Sequence, residues 1–231
     1  MVSIRHIEFA VSMFIEMPVE IGRLSNLQTL TGFIVSKDEG CSIKELKCLN
    51  LRGELNICDL EKECDGKMDD DVLEGLKPPD PNLKRFLIEN FGGAKCPTWM
   101  ASDLSTYKNL IEFKLVNCHI LAYVPTLGDL PFLRFFEFSE LEKVKCLGQE
   151  FYYRSNSSTI GGGGATSSSS RMTTTVAFLS LKKLRLYDMP NLVEWFEVLL
   201  SFRSLVKLMV DRCPELKIKP NQFPSLQSLK L

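Results

Sequence analysis

The feature that most constrains this chain is an apolar pattern, Leu-x-x-Leu-x-Leu, that recurs along almost its whole length. Leucine accounts for 34 of the 231 residues, about 15%. The pattern is clearest at residues 181–186, 205–210 and 226–231. Because side chains alternate between the two sides of an extended strand, the apolar first, fourth and sixth positions can face one core while the others face solvent.

The spacing of the pattern predicts a repeat architecture. Successive sixth positions are 23, 25, 31, 27, 23, 48, 24 and 21 residues apart. Most of these steps lie in or near the range of about 20–29 residues that is typical of leucine-rich repeats. One unit cannot bury its apolar residues alone, whereas stacked units form a parallel sheet over a continuous core. The sixth positions are Phe9, Gly32, Ile57, Ile88, Leu115, Phe138, Leu186, Val210 and Leu231.

The predicted fold class is therefore an α/β repeat solenoid. It is a leucine-rich repeat horseshoe with a parallel β-sheet on the concave face and an irregular or short helical convex side. We expect one domain over residues 1–231 with about nine repeats. Both ends lack a polar cap and are interpreted as truncated. The 48-residue step contains a Gly/Ser/Thr-rich stretch at 155–175, interpreted as a disordered insertion within one long repeat.

Residue types that carry chemistry are sparse and poorly arranged for catalysis or metal binding. His6 and His119 are the only histidines, and no C-x-x-C, G-x-S-x-G or H-E-x-x-H motif occurs. We therefore expect no enzyme activity, no metal and no cofactor. Cys118 and Cys213 fall at the ninth position, where a small apolar residue suits the turn after a strand. The cysteines are interpreted as reduced thiols, and the tryptophans as packing under the convex side, outside the strands.

Charge and hydropathy narrow the choice of partners to proteins. The formal net charge of −1 argues against a nucleic-acid binder that relies on a basic surface. No apolar run reaches the roughly 18–20 residues of a membrane span. The first residues lack the features of a signal peptide, so a cytoplasmic location is expected. The acidic stretch at 59–74 is interpreted as a solvated turn.

The outward positions of the repeats predict a binding surface. In a solenoid these positions line the concave face, which is the usual binding surface. From the fourth repeat onward, basic residues concentrate at the second, third and fifth positions, and acidic residues mostly follow at the seventh and eighth. This distribution predicts a basic stripe beside a more acidic one. The predicted partner-binding residues are Lys84, Arg85, Lys114, Arg134, Phe135, Lys182, Lys183, Arg185, Tyr187, Lys207, Met209 and Arg212.

Six segments of the sequence, taken together, indicate a more specific class of repeat protein than the period alone does. They are MPVEIGRLSNLQTL (17–30), LNLRGELNI (49–57), VLEGLKPP (72–79), CPTWM (96–100), VPTLGDLP (124–131) and CPEL (213–216). In this order they resemble the leucine-rich repeat region of plant coiled-coil nucleotide-binding leucine-rich-repeat (NBS-LRR) disease-resistance proteins. The resemblance implies a receptor region that senses a pathogen effector or a host guardee and keeps the receptor's nucleotide-binding domain inactive. ATP or ADP would bind only to that domain, because this chain has no G-x-x-x-x-G-K-[ST] loop.

The segments also depart from the family pattern. A further repeat usually separates the Gly-Glu-Leu segment from the Val-Leu-Glu-Gly-Leu segment, whereas only residues 58–71 lie between them here. One repeat is therefore interpreted as deleted. The alternatives are a truncated non-signalling or pseudogene product, a leucine-rich repeat substrate adaptor of a ubiquitin ligase, and an extracellular receptor ectodomain.

Overall fold

Short strands joined by turns make up the structure, a computed structural model that describes residues 4–8, 18–34, 43–49, 51–58, 82–96, 100, 107–153 and 176–231. The helical segments that lie wholly within the described residues are two 3-10 turns, Ile21–Arg23 and Ile43–Cys48, and the helix α1 (Gln149–Tyr152). The strands are β1 (His6–Ile7), β2 (Thr29–Ile34), β3 (Gly53–Cys58), β4 (Leu83–Glu89), β5 (Glu112–Val116), β6 (Phe135–Ser139), β7 (Cys146–Leu147), β8 (Lys183–Tyr187), β9 (Glu194–Trp195), β10 (Lys207–Asp211) and β11 (Ser228–Lys230).

One large parallel sheet organises the described residues. Its nine strands follow the order β1-β2-β3-β4-β5-β6-β8-β10-β11, and β7 and β9 form a second, two-stranded sheet. Each strand is followed by a turn and a return segment, which brings the next strand alongside in the same direction. The observed sheet confirms the predicted solenoid class.

The register of the sheet repeats from one strand to the next. From β4 to β10, the fourth positions of the pattern lie in one row, and their side chains are 3% exposed or less. The row joins Phe86, Phe113, Phe136, Leu184 and Leu208 as direct cross-strand partners. Stacked repeats therefore bury the same pattern position in the same layer of the core, as the period requires.

Two long intervals of the sequence each correspond to a single step in the sheet. Strand β6 pairs directly with β8, and β3 pairs directly with β4. The described sheet therefore has no strand between the members of either pair. The predicted insertion at 155–175 and the acidic stretch at 59–74 lie outside the described residues.

Strand β2 shows that the predicted register at Gly32 is wrong. The pattern placed Gly32 at the inward sixth position, but the fully buried Phe33 is the residue that pairs with Ile57. The register shifts between Leu30 and Phe33, where a β-bulge adds one residue to the strand. A pattern match assumes strict alternation along the strand, so it cannot detect the extra residue.

Aromatic side chains fill the core behind β6, β8 and β10. Phe178 stacks on Phe202, with ring centroids 5.0 Å apart and 11° between the planes. Trp195 was predicted to lie outside the strands, but it belongs to β9 and is fully buried. Its indole N–H donates to the Tyr152 hydroxyl at 2.9 Å, and that hydroxyl donates to a backbone carbonyl at 2.6 Å. Burial raises the pKa of Tyr152 above its ordinary value, so the phenol stays protonated and both aromatic donors are satisfied.

A further core position, three residues before the first leucine of the pattern, becomes evident only in the structure. The backbone carbonyl of the residue at this position accepts a hydrogen bond from the N–H of that leucine. For example, the Phe178 carbonyl accepts the Leu181 N–H at 3.3 Å. The turn directs the chain into the next strand and places the earlier side chain against the core. The residues that occupy this position with the same hydrogen bond are Leu24, Tyr107, Phe178, Phe202 and Phe223.

In three repeats a serine directly precedes the first leucine of the pattern, and its hydroxyl links that repeat to the one before it. Each hydroxyl donates to a backbone carbonyl of the preceding repeat, so it crosses from one unit to the next. The pairs are Ser180 with Pro131 at 2.6 Å, Ser204 with Leu179 at 2.8 Å and Ser225 with Arg203 at 2.7 Å.

Replacing Ser204 with alanine tests this link. We expect the free energy of unfolding to fall by about 1 kcal/mol, because the Leu179 carbonyl loses its side-chain donor. Urea unfolding followed by circular dichroism measures the change. Ser228→Ala is the matched control, since Ser228 is exposed on β11. Equal effects of the two substitutions would contradict a specific contribution of the link.

Candidate protein-interaction surface

The structure places all of the predicted partner-binding residues on the outward side of the sheet or at its strand ends. None of them is buried, whereas their inward neighbours on the same strands are. The exposed members are Lys84, Arg85, Arg134, Lys182, Lys183, Lys207 and Arg212, and the half-buried members are Lys114, Phe135, Arg185, Tyr187 and Met209.

Some of these cations already have carboxylate partners. Arg85 lies between two glutamates, 3.2 Å from Glu54 and 3.5 Å from Glu112. Lys114 is 2.7 Å from the same Glu112. Further pairs are Arg185 with Glu137 at 2.9 Å, Arg212 with Asp188 at 3.6 Å and Lys230 with Asp211 at 2.7 Å. The hydrogen bond from Lys230 lowers the pKa of Asp211, so this carboxylate is ionised at neutral pH.

This pairing divides the cations of the predicted basic stripe into paired and unpaired ones. The third-position row brings Glu54, Arg85 and Glu112 into register on β3, β4 and β5. In the fifth-position row, Glu137 of β6 lies opposite Arg185 of β8. Opposite charges therefore alternate across neighbouring strands, where such pairs stabilise a sheet. The alternation could not be read from one repeat at a time, because it depends on which strands are neighbours.

Aromatic rings on the same face contact the paired cations. The Arg185 guanidinium lies 4.8 Å from the centre of the Tyr187 ring, and Arg212 lies 5.3 Å from it. Lys114 is placed similarly over Phe135, at 5.3 Å. These cation–π contacts hold the rings in fixed orientations on rigid strands. A ring held in this way loses little entropy when a partner covers it.

Another set of the predicted cations has no carboxylate partner. In the described part of the chain, no ion pair involves Lys84, Arg134, Lys182, Lys183 or Lys207, and all five are exposed. Apart from Lys84, they lie together at the start of β6, β8 and β10. The free positive charge of the face is therefore concentrated at one end of three neighbouring strands.

A regular turn follows the C-terminal ends of the strands, opposite the ends that carry the unpaired cations. The eighth position adopts left-handed backbone angles in five repeats, a conformation that asparagine and aspartate tolerate better than most residues. One residue later, the thiols of Cys118 and Cys213 donate to the carbonyls of Val116 and Asp211 at 3.3 and 3.5 Å. Burial raises the pKa of Cys213, which fits a structural thiol. The left-handed residues are Asn90, Asn117, Glu140, Asp188 and Arg212, with φ between 50° and 58°.

Other kinds of site find little support in the described ranges. There, no group of three or more His, Cys, Asp or Glu side chains could hold a metal ion. The six cysteines that are described are free thiols. None of the helices within those ranges combines the length and apolar character that crossing a bilayer needs.

Comparison with known proteins adds the family context. Residues 60–141 match the family of R13L1/DRL21 LRRs. A protein of Arabidopsis thaliana named for disease resistance is 27% identical over 245 residues, covering 87% of this chain and 16% of that protein. Another, from Solanum bulbocastanum, is 33% identical over 147 residues, covering 52% of this chain and 15% of that protein. Among solved structures, the complex of TLR13 with ssRNA13 matches 90% of this chain and 29% of that one, with a TM-score of 0.44 and 19% identity.

These relatives are much longer than the chain, which spans about one sixth of their length. The match to the leucine-rich repeat family agrees with the nine-stranded parallel sheet. The chain is therefore a leucine-rich repeat solenoid whose sequence is similar to plant proteins named for disease resistance.

Proposed function

We propose that this chain is the protein-recognition region of a plant intracellular immune receptor. Its outward strand face contacts a pathogen effector or a host guardee, and it also holds the receptor's nucleotide-binding domain inactive until that contact forms. Such a switch requires contacts that differ between the inactive and active states. The names of the relatives support the class of receptor.

One observation carries the role of the strand face: it combines fixed aromatic side chains with cations that have no carboxylate partner among the described residues. Tyr187 is held between two arginines, and aromatic and arginine side chains supply much of the binding energy of protein interfaces. Lys182, Lys183 and Lys207 are exposed at the other end of the same strand face. Unpaired charges of one sign steer the encounter and select a partner of the opposite sign.

A binding experiment between receptor parts tests the proposal. The tagged chain is co-expressed in leaf tissue with the part of the 33% identical Solanum bulbocastanum relative that lies outside the matched region, and co-immunoprecipitation measures their association. We expect recovery of the chain, and less recovery of the variant K182E/K183E/K207E, because reversed charges repel an acidic partner surface.

The control variant K143E/K145E/K219E makes the same change in net charge at exposed lysines away from the strand face. It should be recovered as well as the original chain. If the original chain is recovered no better than an unrelated leucine-rich repeat protein, the proposed receptor role is overturned.

A further inference from the structure

Four cations form a compact cluster at the N-terminal ends of three neighbouring strands. Arg134 and Lys182 directly precede β6 and β8, and Lys183 and Lys207 are the first residues of β8 and β10. All four are exposed, and none forms an ion pair with a described residue. We call this set of four residues the cationic edge.

The backbone holds the cationic edge in a fixed arrangement. The Arg134 carbonyl accepts the N–H groups of Lys182 at 2.8 Å and Lys183 at 3.0 Å, and the Lys182 carbonyl accepts the N–H of Lys207 at 3.0 Å. Neighbouring strands are about 4.8 Å apart, so the bases of these side chains cannot move away from one another.

The arrangement is electrostatically unfavourable by itself. Lys183 lies directly opposite Lys207 in the register of β8 and β10, and like charges opposite each other destabilise a sheet. Elsewhere on the same face, Arg85 and Arg185 have glutamates as cross-strand partners. The cationic edge therefore lacks the compensation that Arg85 and Arg185 have, which points to compensation by a bound partner.

Apolar side chains border the cationic edge. Phe132, two residues before Arg134, is 54% exposed, and Leu179, three residues before Lys182, is 56% exposed. Phe135 is half-buried and lies opposite Lys183 in the register. Large exposed apolar side chains next to charged ones are typical of an interface that binds both kinds of group.

We propose that the cationic edge binds an extended acidic segment of a protein partner, lying across the starts of β6, β8 and β10. Its carboxylates pair with the four cations, and an apolar or aromatic side chain packs on Phe132 and Leu179. This inference deepens the proposed function, on which it rests for the role of the strand face. It adds the chemistry of the partner and the part of the face that the partner contacts.

The surroundings favour an acidic peptide over a nucleic acid. The net charge of the chain is −1, and carboxylates such as Glu112, Glu137 and Asp211 occupy the same face. A long polyanion would extend over these carboxylates and be repelled, because nucleic-acid affinity depends on many phosphate contacts. A short segment with a few carboxylates can be confined to the cationic edge.

Fluorescence anisotropy with a defined probe tests the proposal. The probe is a fluorescein-labelled peptide in which Glu alternates with Thr around one central Phe. Its control has Gln in place of every Glu. We expect the full chain to bind the Glu peptide, with Kd raised about tenfold by K182E/K183E/K207E or by the Gln peptide. K143E/K145E/K219E should change Kd by less than about twofold, because those sites lie off the strand face.

A stability measurement separates lost binding from lost folding. K183E is expected to keep or raise the melting temperature, because the new carboxylate would lie opposite Lys207. Weaker peptide binding without a lower melting temperature supports a binding role for the edge. Equal weakening by both triple variants would overturn the proposal, as would a single-stranded DNA oligonucleotide binding as tightly as the Glu peptide.

The peptide and receptor experiments can fail independently. Peptide binding at the cationic edge without any co-immunoprecipitation would overturn the proposed receptor role and leave this inference standing. Co-immunoprecipitation that K182E/K183E/K207E leaves unchanged, together with no binding of the Glu peptide, would overturn this inference and leave the receptor role standing.

Discussion

Replacing Phe178 with alanine is expected to lower the free energy of unfolding by about 3–5 kcal/mol. The Phe178 ring is fully buried, stacks on Phe202, and lies 5.0 to 5.6 Å from the rings of Phe136, Phe151 and Tyr152. Removing it leaves a cavity among large rigid rings, which cannot collapse to fill the space. Alanine keeps the Cβ atom, so the left-handed backbone at this position is retained and the effect reports packing.

Urea unfolding of Phe178→Ala and Phe196→Ala provides the comparison. The Phe196 side chain is 44% exposed, and its carbonyl contact with Tyr152 survives the substitution. We expect Phe196→Ala to change the free energy of unfolding by less than about 0.5 kcal/mol. Similar losses for the two variants would contradict the packing described for Phe178.

Replacing Gly128 with alanine is expected to cost about 3 kcal/mol, at the upper end of the usual range for overpacking. An added Cβ would lie 2.1 Å from the Tyr152 carbonyl oxygen, which belongs to the backbone and cannot rotate away. The Gly128 carbonyl also accepts the Phe178 N–H at 2.9 Å. A backbone shift that relieved the clash would therefore also disturb the aromatic core.

Thermal unfolding followed by circular dichroism measures the effect of Gly128→Ala. The neighbouring Asp129 is exposed, so Asp129→Ala serves as the control, with an expected change below about 0.5 kcal/mol. An unchanged melting temperature for Gly128→Ala would show that the close approach of residues 128 and 152 is not present in solution.

The repeating part of the fold could be predicted from sequence because one pattern sets both the strand positions and the core. Residues such as Phe113, Phe136 and Leu184 appear at the expected spacing and share one buried row. The bulge that places Phe33, rather than Gly32, opposite Ile57 could not be predicted from the pattern. It breaks the alternation within a strand. A glycine inside a strand pattern can mark a bulge, but Gly32 alone does not show which residue takes the core position.

The candidate site could be predicted only in part. Its residues were identified because outward positions follow from the period, and the structure leaves none of them buried. The division into paired cations, such as Arg85, and unpaired ones, such as Lys183, depends on cross-strand partners. Those partners come from different repeats, so the sequence of one repeat does not reveal them. The serine link at Ser204 was missed for the same reason.

Lysine acetylation footprinting of the chain, with and without the Glu peptide, asks directly where an acidic partner binds. The account predicts that the peptide slows acetylation of Lys182, Lys183 and Lys207, while Lys143 and Lys219 react at unchanged rates. Protection of Lys143 and Lys219 together with full reactivity at the cationic edge would contradict the account.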